Sequence, residues 1–336
     1  MSILLVGDLH FKLDNIFQCN QLYSQIENIL CSGNIKHVIL LGDILHYHEK
    51  IHASILNRVT SFVQMISSHV SVTILVGNHD MINNQVFCDS TGHWLTVFGG
   101  WKNVAIVDVP QYIFQCGLKI AAVPYVYVGR FAEALEKFGI DLDDASICIA
   151  HQEFRGCKMG AIESVVGDEY KSKTPCYSGH IHSTQKIGNV LYTGSAFEHS
   201  FGSPKCYLWL LDPKSLVCSK IPSEVVSKNT VYTKLSNGDL TLDIDIPESA
   251  TPQLNKCVIT VDRTEDYLAW LNTKQGIAVS KKMTVGYNIS EPLKETCLSR
   301  DFETRDKNTN VLSMFRDIIS TRHSDCQDIM NSVLNC

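Results

Sequence analysis

Seven polar side chains occupy the same kind of place along the chain, directly after a short apolar run. In chain order they are Asp8, His10, Asp43, Asn78, His151, His180 and His182. Oxygen and nitrogen donors in this mixture suit Mn²⁺, Fe²⁺ or Zn²⁺, and the set contains no thiolate. Because a tetrahedral ion needs only four ligands, seven donors are enough for two ions that share a bridging carboxylate. Such a pair of ions activates water and holds a phosphoryl group, and Asp43 is the natural bridge.

The apolar runs before these residues predict the strands that must position them. Short continuous apolar runs, typical of strands buried on both faces, occur within residues 2–10, 37–46, 71–80, 145–152, 175–182 and 189–195. Helix-like segments lie between the first three runs, at 16–33 and 53–66. Strands and helices in alternation indicate an α/β sheet with crossover connections. Since the functional crevice of such a sheet lies beyond the carboxyl ends of its strands, the strands can deliver all seven side chains to one cleft.

Each of these motifs is weak by itself, but their order is specific. A D-x-H triplet occurs by chance, and a single histidine such as His151 is more often a core residue than a ligand. The ordered set D-x-H, G-D-x-x-H, G-N-H-D, H and G-H-x-H spans residues 8–182 and resembles the calcineurin-like metallophosphoesterase superfamily. Within it, the chain looks most like the SbcD and meiotic-recombination-eleven type of nuclease subunit, which repairs DNA double-strand breaks. That resemblance implies a four-layer αββα sandwich with a small α+β cap domain and a C-terminal helical hairpin.

Particular residues favour the nuclease branch of that superfamily. The segment Gly42-Asp43-Ile44-Leu45-His46 has His46 where the protein phosphatases usually have G-D-x-x-D-R-G. His151-Gln152-Glu153 resembles the histidine motif of the nucleases. One motif departs from the pattern, because Thr193-Gly194-Ser195 stands where the family often has Pro-Gly-Ser.

The resemblance also implies a role for each site residue. One metal ion would be held by Asp8, His10, Asp43 and His182, and the second by Asp43, Asn78, His151 and His180. His79 would be an acid or cation near the scissile phosphate, Asp80 would orient its ring, and His46 would be a second transition-state contact. The implied reaction is attack of an activated water on phosphorus, with His79 protonating or stabilising the leaving oxygen.

The chain is predicted to divide into three parts. Residues 1–221 carry the motifs, and residues 222–298 read as a small α+β unit with strands predicted at 241–249 and 256–262. Residues 299–336 read as a polar linker followed by an amphipathic helical hairpin. The resemblance implies that this last part docks onto a coiled-coil ATPase of the SbcC type, while packing on its own domain is an equally open alternative.

Composition excludes several other classes of protein. The 336 residues are 45% hydrophobic and 19% charged, which suits a globular chain with a large core. The net charge of −6 provides no overall basic field, so any binding of a polyanion must be local. The sequence predicts no signal peptide and no membrane span. Thirteen scattered cysteines without a C-x-x-C pair favour a reducing, intracellular compartment such as cytoplasm or nucleus.

These patterns together predict a Mn²⁺-preferring DNA exonuclease and endonuclease, the catalytic subunit of a repair or recombination complex. Two alternatives stay open: a phosphodiesterase or phosphatase acting on nucleotides or phosphoproteins, and a non-catalytic scaffold that binds DNA or an ATPase. The family commonly forms homodimers, and the apolar positions at 86–98 suit either a dimer interface or the core.

Several other polar residues near the motifs favour a structural explanation. His48 and His52 are expected at a surface helix start, and isolated charges at Arg155, Lys171 and Lys173 are expected on a solvated face. Glu198 and His199 lie close enough in sequence to line the cleft.

Overall fold

The fold is described by a computed structural model that covers residues 2–48, 50–83, 86–235, 246 and 250–290. The linker and helical hairpin predicted at 299–336, and all but Ile246 of the strand predicted at 241–249, lie outside the described residues.

Strands dominate the described residues, as the short apolar runs predict. The first half contains β1 (Ser2–Val6), α1 (Ile16–Cys31), β2 (Ile35–Leu40), α2 (Ala53–His69), β3 (Ser71–Leu75), β4 (Val104–Val107), β5 (Gln111–Gln115), β6 (Leu118–Val123), α3 (Phe131–Lys137) and β7 (Ile147–His151). The second half contains β8 (Lys158–Met159), β9 (Ile162–Glu163), β10 (Cys176–Gly179), β11 (Gln185–Ile187), β12 (Val190–Tyr192), β13 (Tyr207–Leu211), β14 (Cys218–Pro222), β15 (Asn229–Lys234), β16 (Asn255–Val261), α4 (Thr264–Leu271), α5 (Lys274–Lys282) and β17 (Thr284–Ile289).

Two six-stranded sheets form the centre of the molecule. The first has the order β14-β13-β1-β2-β3-β4, and the second has the order β11-β12-β10-β7-β6-β5. Their facing sides share one buried cluster, in which Ile39 and Leu75 of the first sheet pack with Ile120 and Ile149 of the second. Because each sheet is apolar on both faces, each needs a second covering layer.

Helices provide those outer layers. Phe62 of α2 packs in the cluster outside the first sheet, and Phe131 of α3 packs in the cluster outside the second. The helix α1 buries Leu22, Ile26 and Leu30 at helical spacing. Its end is closed by Gly33, whose φ of +74° suits glycine. The predicted four-layer αββα sandwich is therefore confirmed.

A smaller three-stranded sheet follows, in the order β15-β16-β17, and its strands are parallel. Trp270 of α4 and Val279 of α5 pack on Ile259 in a separate buried cluster. The segment before this sheet is tied to α1, because the Gln21 side chain accepts a hydrogen bond from Val226 N at 3.1 Å. The domain boundaries at 222 and 298 stay predictions.

No helix within the described residues is both long enough and apolar enough to cross a membrane.

Candidate metal centre

The carboxyl ends of β1, β2 and β3 meet those of β7 and β10 at one edge of the two sheets. This follows from their parallel pairing within each sheet and from the face-to-face packing of the sheets. Among the described residues, three groups of ligand atoms lie there, each with its atoms within 4.8 Å of one another. Two of them combine a carboxylate with imidazoles: Asp8, His10 and His182 form the first, and Asp43, His151 and His180 the second. The third consists of the imidazoles of His10, His46 and His79. The structure thus brings together side chains from five strand ends, including pairs 172 residues apart.

The first group combines a carboxylate with two facing imidazoles. Asp8 is fully buried, and its Oδ1 accepts a hydrogen bond from His180 N at 2.8 Å. Its Oδ2 is buried without a hydrogen-bond partner. Nε2 of His10 lies 3.0 Å from Nε2 of His182. Two ring nitrogens and an orphaned carboxylate oxygen therefore converge, which is the arrangement a cation would satisfy.

The second group is organised around Asn78 and His151. Asn78 Oδ1 lies 3.2 Å from His151 Nε2 and 3.0 Å from His180 Nδ1. The His151 Nδ1–H donates to the Leu41 carbonyl at 2.6 Å. That hydrogen bond fixes the ring orientation and leaves Nε2 toward the other ligands, as is usual for histidines that bind metal.

Asp43 lies between the two groups. Its Oδ2 is 3.4 Å from His10 Nε2, and its Oδ1 is 3.3 Å from His151 Nε2. One carboxylate oxygen thus faces each group, which is what a bridging ligand between two ions requires.

Burial and charge perturb these groups strongly. Burial raises the pKa of Asp8 and lowers the pKa of His180 to about 3. For Asp43, burial is the largest effect and acts upward, but the charges of His151, His10 and His79 and the hydrogen bond with His151 together hold the pKa of Asp43 well below 3.8. For His151, burial is again the largest effect and acts downward, yet the charges of Asp43 and Asp8 and two hydrogen bonds together raise the pKa of His151 to about 9. Positive charge beside Asp43 therefore stabilises its carboxylate, and a divalent ion would supply that charge as well as a proton does.

The donor set fits two divalent metal ions on these observations. It offers two carboxylates, an amide oxygen and imidazole nitrogens, with a buried oxygen of Asp8 left unpartnered.

The backbone at the site is strained where the ligands project. His10, Asp43 and His180 have φ values of +43°, +53° and +79°, a region that costs a non-glycine residue about 1–3 kcal/mol. Gly42, just before Asp43, has a φ of +98° that only glycine adopts freely. Strain of this kind persists only where the surrounding structure fixes it, and here it turns three ligands into one cleft.

A model of the calcineurin-like phosphoesterase family matches residues 1–224, which include every one of these ligands. This chain belongs to that family. It is 42% identical over 204 residues to 244L of Invertebrate iridescent virus 6, a protein named as a phosphoesterase, covering 60% of this chain and 72% of that protein. It is 40% identical over 211 residues to 078R of Invertebrate iridescent virus 3, also named as a phosphoesterase, covering 60% and 59%.

A more distant similarity covers a larger share of the chain. Exonuclease subunit 1 of Enterobacteria phage T4 is 25% identical over 248 residues, covering 69% of this chain and 70% of that protein.

Two further histidines of this phosphoesterase stand beside the ligand groups. His46 Nδ1 lies 3.5 Å from His10 Nδ1, and the rings of His46 and His79 stack with centroids 5.5 Å apart. The His79 Nδ1–H donates to the His46 carbonyl at 2.7 Å, and His79 N donates to Asp43 Oδ1 at 2.8 Å. Both rings are half-buried, so they line the cleft rather than the core.

The role predicted for Asp80 needs correction. Its Oδ1 accepts hydrogen bonds from Ile44 N at 3.0 Å and from Trp94 Nε1 at 3.0 Å, while its Oδ2 accepts from Gly77 N at 3.0 Å. The His79 ring is held by the His46 carbonyl instead. Asp80 therefore ties the turns after β2 and β3 together, because its carboxylate accepts hydrogen bonds from backbone N–H groups of both turns and from the Trp94 indole.

The structural explanations for neighbouring residues hold only in part. His52 does cap α2, accepting a hydrogen bond from Ser54 N at 3.2 Å. Arg155 does lie on the surface, paired with Glu169 at 3.0 Å. His48, however, stacks on the His79 ring with centroids 4.6 Å apart, so placing it at a surface helix start was wrong.

Sequence reasoning missed Trp94 and left His199 undecided. The His199 Nε2–H donates to the Asp8 carbonyl at 2.9 Å, and its ring lies 5.0 Å from that of His10. No local pattern marks either residue, since Trp94, at the start of a short 3-10 helix, and His199 both contact the site across the fold. Nδ1 of His199 is buried without a hydrogen-bond partner and lies beside the first ligand group.

Proposed function

We propose that this phosphoesterase is a metal-dependent DNA nuclease that hydrolyses phosphodiester bonds as an exonuclease and endonuclease. The observation that carries the proposal is the pair of half-buried histidines, His46 and His79, stacked directly beside two adjoining groups of metal ligands. The similarity to exonuclease subunit 1 of phage T4, which covers 69% of this chain, supports the same substrate class.

The proton of the leaving group is assigned to His79. Its Nδ1–H is committed to the His46 carbonyl at 2.7 Å, so Nε2 is the nitrogen left for substrate. A protonated Nε2 can donate to the departing oxygen as a general acid, a contribution of typically 10²–10⁴-fold. The His48 ring stacks on the His79 ring with centroids 4.6 Å apart, which limits rotation of the His79 ring.

The ligand groups would hold two divalent ions, and we propose Mn²⁺ because carboxylate, amide and imidazole donors suit it. Bound there, the ions supply Lewis-acid polarisation of the phosphate and an activated water. A cavity of about 560 Å³ opens onto His180 and His182 and is lined by Lys158 and Ser203, which leaves room for a polyanionic strand.

We also propose the assembly that the sequence resemblance implies. The catalytic subunit would act as a homodimer in a repair or recombination complex and bind a coiled-coil ATPase of the SbcC type through residues 299–336. The unit from 222 to 298 would then cap the DNA.

The deciding experiment is a nuclease assay on purified protein with Mn²⁺ or Mg²⁺, using linear duplex, hairpin and circular single-stranded DNA. We expect cleavage by the wild type and at least a 100-fold loss in His79→Ala, with the metal content unchanged. His69→Ala is the matched control, since His69 is exposed in the last turn of α2. If the protein hydrolyses nucleotides or phosphoproteins but not DNA, its function is that of a phosphodiesterase or phosphatase. A protein that binds no metal and shows no activity would instead be a non-catalytic scaffold.

A further inference from the structure

A groove opens beside His46 and is lined by Leu45 and Tyr47, the chain neighbours of His46. It encloses about 480 Å³, within the range of small-ligand pockets, and we define it by Phe11, Lys12, Leu13, Leu45, Tyr47 and Ile55. Residues that line the groove are neighbours in sequence of residues at the metal centre: Phe11 follows the ligand His10, and Leu45 and Tyr47 flank His46.

The groove and the metal centre share one piece of backbone. Phe11 N donates to the Ile44 carbonyl at 2.9 Å, and His46 N donates to the Phe11 carbonyl at 3.3 Å. The ring of Tyr47 meets that of His46 edge-on, with centroids 4.9 Å apart. The groove and the metal centre are therefore built on the same segments of chain, with His46 adjoining both.

The lining of the groove is apolar at the base and amphipathic at the rim. Phe11, Leu45 and Ile55 are buried at its base, whereas Tyr47 and Leu13 are 55% and 48% exposed. Among the described residues that line it there is no carboxylate. A concave apolar surface with an exposed aromatic ring at its edge is typical of a site for a flat, partly polar ligand.

Positive charge lies in the wall of the groove. Lys12 lines the groove and is two residues along the chain from the ligand His10. An exposed aromatic ring, an apolar base and a lysine in the wall together match the parts of a nucleotide: the base stacks, and the phosphate pairs with the lysine.

We propose that this groove is a nucleobase subsite, which holds the base of the nucleotide next to the scissile phosphate against Tyr47 while Lys12 contacts the adjoining phosphate. The proposal rests on the proposed nuclease function and refines its substrate class. A base paired and stacked in duplex DNA cannot enter a concave pocket, so the preferred substrate is an unpaired strand or a frayed end.

The test compares an eight-nucleotide thymidine strand with the same strand lacking every base, at one fixed salt concentration. Base stacking on an aromatic side chain predicts that the wild type prefers the strand with bases by about 5- to 150-fold in kcat/KM. In Tyr47→Ala we expect this preference to fall toward one, and in Tyr47→Phe we expect it to be kept. Phe114→Ala removes another exposed aromatic ring, 71% accessible on β5 against 55% for Tyr47, and should keep the full preference.

Equal kcat/KM of the wild type on the two strands would overturn the subsite and leave the nuclease function intact. Hydrolysis of bis(p-nitrophenyl) phosphate without cleavage of either strand would instead refute the nuclease function. The subsite would then be tested by comparing the affinity of the protein for dTMP with its affinity for deoxyribose 5-phosphate. Tighter binding of dTMP by the wild type, lost in Tyr47→Ala, would support the subsite. Equal affinities for the two ligands would overturn it. Conversion of a dimer to a monomer by Tyr47→Ala, at unchanged affinity for dTMP, would assign the groove to a second copy of the chain and overturn the proposal.

Discussion

Gly77 precedes the Asn78–Asp80 turn and lies against the backbone of Asp43, so replacing it with alanine should disturb the bridging ligand. Its φ of −88° and ψ of 174° are open to any residue, which removes backbone strain from the comparison. A Cβ at Gly77 would lie 2.3 Å from both Asp43 N and Asp43 Oδ1. Relieving those contacts even to 3.0 Å, the tight limit for Cβ, needs a displacement of about 0.7 Å.

That displacement sets the expected magnitude. A misplacement of about 1 Å at a reacting centre costs on the order of 100-fold, so we expect Gly77→Ala to lose about 10- to 100-fold in phosphodiester hydrolysis. Overpacking of a well-packed interior costs about 1–3 kcal/mol, so Tm should fall by several degrees. Because Asp43 faces both ligand groups, the affinity for metal should also fall at both sites.

The assay measures Mn²⁺ binding by calorimetry, hydrolysis of bis(p-nitrophenyl) phosphate and thermal unfolding on the same preparation. Gly286→Ala is the matched control, since a Cβ there meets only the Lys256 Cε at 3.8 Å. If Gly77→Ala keeps the metal affinity and turnover of the wild type, the reasoning is refuted. Such a result would show that a Cβ at position 77 does not displace Asp43 from its bridging position.

Three further predictions follow from buried groups. Asp80→Asn places an NH₂ among buried N–H donors, so we expect the free energy of unfolding in urea to fall by about 1–3 kcal/mol; unchanged stability would contradict the tying role of Asp80. Burial lowers the pKa of His37 to about 4, so the neutral His37 ring contributes fully to the free energy of unfolding above pH 6.5. That contribution is lost as the pH falls toward 4. Between pH 7 and 5 the wild type should therefore lose about 2 kcal/mol more stability than His37→Gln, and parallel curves for the two proteins would contradict this. Mn²⁺ at 100 times its Kd should stabilise the protein by about 2.7 kcal/mol per site and raise its Tm. A chelator should reverse this rise in Tm, and Asp8→Asn should reduce it. A Tm independent of Mn²⁺ would exclude the metal centre.

Part of the site could be predicted because its local patterns are strong. The helix α2 was predicted at 53–66 and runs over Ala53–His69, and the strand predicted at 145–152 is β7 (Ile147–His151). Apolar runs report burial directly, and the polar residue that ends each run marks the carboxyl end of a strand. Asp80 was misjudged because its partners Ile44 N and Trp94 Nε1 lie 36 and 14 residues away.

The sequence by itself determined the type of each donor, their order and the strands that carry them, since periodicity and residue chemistry are local properties. Tertiary structure alone decided which atoms meet. Examples are the His10 and His182 ring nitrogens, 172 residues apart in sequence, and the stacking of His48 on His79. It also decided the left-handed backbone at Asp43 and the groove beside His46. These features depend on how two sheets pack face to face, and no pattern within one strand records the geometry of its partner across the core.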